Sequence, residues 1–116
     1  MDDQAVCERL VQAARAGEFV HYGELAKMLG INMDNPHFGA EVGKVLGRIS
    51  EDEVAAGRPM ISAIVVSKDD MLPGHGFYNL GQQLHLVDPG EDEIGFAVRQ
   101  IKRVHEHWSK EAPPSS

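Results

Sequence analysis

The chain has 116 residues, of which 42% are hydrophobic and 25% charged, and a formal net charge of -7. That length suits one domain rather than two, and the composition is that of a globular protein. The longest unbroken apolar run, Ala63 to Val66, cannot span a membrane; the acidic start, Met1 to Gln4, lacks the regions of a signal peptide; and a lone Cys7 rules out an internal disulfide, so a cytoplasmic protein is expected.

A first helix is predicted over 3–16, with Val6, Leu10, Ala13 and Ala14 on one stripe and Gly17 as its stop. Phe19 and Val20 form a short strand. A second helix carries Leu25, Met28 and Leu29 on one face and ends at Gly30, and turn residues Asn32, Asn35 and Pro36 follow. A third helix is predicted from Phe38 to about Ile49, with Val42, Val45 and Leu46 on its apolar stripe. Ser50 starts a further helical turn that ends at Ala56. Met60 to Val66 is β-branched and continuous and reads as the best strand. Residues 67–76 form a long loop. Phe77, Tyr78 and Leu84 to Val87 read as short extended pieces, and 79–83 as either extended chain or a helical turn. The last helix begins with acids at Glu91 to Glu93, carries Ile94, Ala97, Val98, Ile101, Val104 and Trp108 on one stripe, and is followed by a disordered tail at 111–116.

Gly39, Gly43 and Gly47 recur every four residues in the third helix. Each costs about 1 kcal/mol relative to alanine, so the stripe needs a reason. Close packing against another helix or strand is the first reason, and makes Gly43→Leu destabilising. Close approach of a ligand or a nucleic-acid backbone is the second.

The chemistry-bearing residues give little support to catalysis. The six histidines are scattered, and His105 and His107 lie on different sides of one helix, so no metal site and no cofactor is expected. Cys7 has no base or cation beside it in sequence and reads as a partly buried thiol. Asp69 and Asp70 read as exposed turn acids. Pro73, Gly74, His75, Gly76 and Phe77 make a distinctive loop. Gly74, His75 and Gly76 could contact a ligand with their backbone N–H groups, although no lysine and helix follow in the P-loop manner.

The run Tyr22-Gly23-Glu24-Leu25-Ala26, the pair Leu29-Gly30, and Val42-Gly43 with Leu46 resemble the winged-helix DNA-binding domain of the O6-alkylguanine alkyltransferases and alkyltransferase-like proteins. Arg58-Pro59-Met60-Ile61-Ser62 through Val66 falls where that family carries its active-site strand. The resemblance covers about residues 3–78. It implies an α+β fold: a helix-turn-helix with a short antiparallel sheet, here extended by a C-terminal amphipathic helix, all in one domain at 1–110. The family's reactive cysteine has no counterpart after Pro59, nor does the tryptophan that replaces it. Ala40 and Glu41 stand where the family has an arginine that enters the base stack, so neither alkyl transfer nor base flipping is expected. Arg58-Pro59, Val65-Val66 and Pro73-Gly74 with Gly76-Phe77 are also similar to small uncharacterised bacterial proteins.

A non-catalytic binding protein is therefore expected. One reading is double-stranded DNA binding through Tyr22, Lys44, Arg48 and Lys68, with the 67–76 loop as a wing. The net charge of -7 weighs against it, because a polyanion needs a basic footprint. The alternative is an acidic module for a basic protein partner, of the inhibitor or immunity type, working through acids such as Glu51, Asp52 and Glu53. A weaker alternative is an enzyme that uses the Gly74-His75-Gly76 loop.

Overall fold

The computed structural model describes residues 2–32 and 34–111. The elements in chain order are α1 (Asp2–Ala16), β1 (Val20–His21), α2 (Tyr22–Met28), α3 (Phe38–Ala55), a 3₁₀ turn (Ile61–Ile64), β2 (Val65–Val66), α4 (His75–Gln83) and α5 (Glu93–Glu111). Residues 112–116 of the expected tail lie outside the described residues, and Glu111 closes α5.

The expected winged helix is not formed. The fold is mostly helical, and its one small sheet is a parallel pair with Val20 opposite Val65 and His21 opposite Val66. An antiparallel sheet with a wing needs a hairpin, and the described residues contain none. The stretch from Ser67 closes on itself instead, with Ser67 N–H bonded to the Leu72 carbonyl at 3.0 Å and Met71 N–H to the Ser67 carbonyl at 2.9 Å, and then enters α4.

The run expected as the best strand, 60–66, is where the sequence misleads most. Met60 to Val66 is fully buried except for Ser62, which is 6% exposed. A continuous apolar run reports burial on every side without fixing the backbone. Here it threads between α1, α3 and α5 as a 3₁₀ turn with only two strand residues. Its amides find partners outside a sheet: Met60 N–H donates to Gln100 Oε1 at 3.2 Å, Ser62 N–H to Ser50 Oγ at 3.2 Å, and Ala63 N–H to the Met60 carbonyl at 3.1 Å. Buried backbone groups must be paired, and two side chains and one local carbonyl do it.

Two helices differ from expectation. The third helix does not restart at Ser50; α3 runs unbroken to Ala55, and Ser50 is buried with its hydroxyl 2.7 Å from that of Ser62. Phe77 and Tyr78 are helical, not extended, and Leu84 to Val87 is irregular. Two glycines and an asparagine lower the propensity of α4, but burial of Phe77 against Phe96, with ring centroids 5.3 Å apart, holds it.

Four helices stop alike. The N–H two residues past each helix cap returns to a carbonyl one turn back: Glu18 to Ala13, Ile31 to Ala26, Arg58 to Glu53 and Leu86 to Gly81, at 2.9, 2.8, 2.8 and 2.9 Å. The residue before each has positive φ, as this motif requires. Three are glycines, Gly17, Gly30 and Gly57; the fourth is His85, at φ 60°.

Candidate functional site

A groove of about 920 Å³ opens between α3 and α4. Its floor is α3: Gly39, Gly43 and Gly47 lie along it, with Phe38 and Leu46 beside them. From Gly39 to Gly47 the floor runs about 12 Å, eight residues at the helical rise. Gly76, Phe77, Asn79, Leu80 and Gln83 of α4 form one wall. The end of the sheet supplies His21 and Val66, followed by Tyr22, Ser67 and Lys68.

The close-packing reading of the glycine stripe is overturned. Among the described residues, a Cβ built at Gly39, Gly43 or Gly47 would meet no heavy atom within 4 Å beyond its chain neighbours and its own helix backbone. The glycines that do permit close approach are others. A Cβ on Gly81 would sit 2.4 Å from Phe96 Cζ, where α4 meets α5, and one on Gly74 would sit 2.9 Å from Tyr22 Oη. The Pro73 to Phe77 loop had marked out Gly74 in the sequence, whereas Gly81 stands in a segment without periodicity and gave no signal.

The residues expected to touch nucleic acid divide. Tyr22, Lys44 and Lys68 line the groove. Arg48, one turn on from Lys44, is exposed on α3 and is not among the lining residues. Tyr22 is already engaged: its hydroxyl accepts the Gly74 N–H at 2.8 Å, and burial raises its pKa above the ordinary phenol value. This bond ties the segment before α4 to the start of α2. Of the expected ligand loop, Gly74 and Gly76 line the groove, and the His75 backbone starts α4; the His75 side chain lies outside the described residues.

The groove's electrostatics oppose the sign of the chain. Among the described residues its lining holds Lys44 and Lys68 and no carboxylate, in a protein of net charge -7. Neither α3 nor α4 has a side-chain N-cap: His37 and Gly74 stand at those positions without a capping bond. The first amides of a helix have no partner within it, and no acceptor among the described residues meets the N–H of Gly39, Ala40 or Gly76. Sequence reasoning did not single out His21, which is carried in by pairing with Val66. Its Nδ1 is buried and has no hydrogen-bond partner among the described residues.

The acids expected to meet a basic partner are partly spent within the fold. Glu53 is 5% exposed, and Arg58 donates to its Oε2 from Nε at 3.0 Å and Nη2 at 2.6 Å. Arg99 holds Glu91 from Nε and Nη2, both at 2.8 Å, and with the Asp88 N–H lowers its pKa to about 2. Cys7 is away from the groove lining, and burial, with Glu53 second, pushes its thiol pKa up, the opposite of an activated nucleophile. No group of three His, Cys, Asp or Glu side chains placed to hold a metal ion occurs among the described residues. No helix among them is long and apolar enough to cross a membrane.

Comparison with protein-family models, curated proteins and solved structures finds no match for this chain.

Proposed function

We propose that the protein is a non-catalytic binding protein that takes a small ligand into the groove over α3. The observation that carries this is the glycine floor. Three glycines on one face cost α3 about 3 kcal/mol in helix propensity, and no atom of another element among the described residues uses the space they leave. What they create is depth: bare helix backbone beneath an apolar cleft whose size falls in the range of small-molecule sites, about 300–1,000 Å³. Convergent polar groups at the edge of an apolar floor are how such sites fix orientation.

A 1-octanol titration followed on backbone amides tests this reading. Shifts concentrated at Gly39, Gly43, Gly47 and Leu80 support it, and Gly43→Leu, which fills the cleft, should abolish them. Shifts scattered over the surface, or persisting in Gly43→Leu, reject it. A duplex DNA titration at low salt is the companion arm. Tight, salt-sensitive binding through Arg48 that survives Gly43→Leu would replace the small-ligand reading with the nucleic-acid one.

A further inference from the structure

We infer that the ligand is an amphipathic anion: an apolar body that lies on the glycine floor, and one carboxylate or phosphate head held by Lys44 and Lys68. The inference rests on the groove being the binding site and adds the sign and shape of what it binds.

Among the described residues the lining carries two ammonium groups and no acid, although Asp and Glu outnumber Lys and Arg by 18 to 11 in the whole chain. A cationic ligand would find no counter-charge on the walls. A neutral one would leave both lysines unused. The backbone adds to the same sign. The first turns of α3 and α4 both reach the groove, through Phe38, Gly39 and Ala40 and through Gly74, Gly76 and Phe77. Oriented amides at a helix start favour an anion, and glycine at the second position of each helix leaves its N–H unshielded. The floor specifies the rest of the molecule. Phe38, Leu46, Phe77 and Leu80 surround bare glycine backbone, which favours hydrocarbon over a sugar or a second charge. The negative charge of the remaining surface repels polyanions at long range, which favours a small anion over a nucleic acid.

Three probes with the same eight-carbon chain separate sign from shape: octanoate, 1-octanol and octylammonium, titrated into the full chain at neutral pH with amide shifts as the readout. Octanoate should bind at least about tenfold more tightly than 1-octanol, the difference expected of one charge-assisted contact, and octylammonium more weakly than the alcohol. The Lys44→Gln/Lys68→Gln variant should bring octanoate to the level of 1-octanol; both lysines are exposed, so the fold should survive. Equal affinity for all three probes at the glycine amides, or an unchanged octanoate affinity in the double variant, would overturn the anion assignment and leave the groove reading standing. Failure of all three probes to move the Gly43 and Gly47 amides would remove the groove reading itself.

Discussion

Replacing the groove glycines should make the protein more stable and disable it at once. In Gly43→Ala/Gly47→Ala each methyl enters open space, since no atom outside α3 among the described residues lies within 4 Å of where it would sit. Each replacement should then return the full helix-propensity difference of about 0.8–1.0 kcal/mol, or about 2 kcal/mol for the pair. For 116 residues the unfolding entropy is roughly 0.24 kcal/mol/K, so the melting temperature should rise by about 8 °C. Gly81→Ala is the control of opposite sign. Its methyl would collide with the fully buried Phe96 ring, and overpacking costs of roughly 1–3 kcal/mol should outweigh the propensity gain. Thermal melts by circular dichroism read both, and the octanoate titration should show affinity falling in the stabilised double variant. If the double variant melts lower than the parent, the stripe is a packing contact after all and the argument for the groove fails.

Arg58→Ala should cost roughly 2–3 kcal/mol, less than the loss of a fully buried pair because the Arg58 side chain is 37% exposed, while that of Glu53 is only 6% exposed and would be left buried with its charge uncompensated; a loss below about 0.5 kcal/mol in urea denaturation would contradict this. The pKa of Glu91 is lower in the folded protein than in the unfolded chain, so its contribution to stability is present above about pH 4.5 and lost as the pH falls toward 2. Melts from pH 5.5 to 2.5 should therefore fall less steeply for Glu91→Gln than for the parent, and parallel curves would show the pairing with Arg99 to be inconsequential. His85→Gly should stabilise by about 0.5–1 kcal/mol, because an exposed side chain at φ 60° is replaced by the residue that adopts this geometry freely; an unchanged denaturation midpoint would show His85 to be unstrained.

Helices announced themselves in the sequence where periodicity and stop signals agreed. Val6, Leu10, Ala13 and Ala14 are all buried on α1, and Gly17 and Gly30 sit at helix ends with positive φ. The sequence failed where burial was complete or local propensity was poor. Met60 to Val66 carries no alternation because every side is covered, so nothing in it distinguishes a strand from a 3₁₀ turn held by Gln100 and Ser50. Ser50 read as a cap because serine bonds backbone amides readily; it does so here, but to Ser62, 12 residues away. Of the groove, the glycine stripe, Tyr22, Lys44, Lys68, Gly74 and Gly76 were visible, but the choice between close packing and ligand approach for the stripe was not. Whether a glycine face meets another helix or open space depends on where α4 lies, and α4 was hidden by its own glycines.

The C-terminal helix sets the timetable of synthesis. Val6, Leu10, Ala13 and Ala14 of α1 are fully buried, and α5 packs against α1 more extensively than any other element, with His105 Nε2 2.9 Å from the Glu18 carbonyl oxygen and its ring edge-on to Phe19. About 77 residues separate the end of α1 from the start of α5. At a translation rate of about 5–20 residues per second, the apolar stripe of α1 waits roughly 4–15 s for its cover. A ribosome that stalls anywhere in that interval holds an amphipathic helix whose α5-facing side is still open, an attractive target for chaperones and proteases. Rare codons between α4 and α5 would lengthen this exposure without altering one residue of the finished protein.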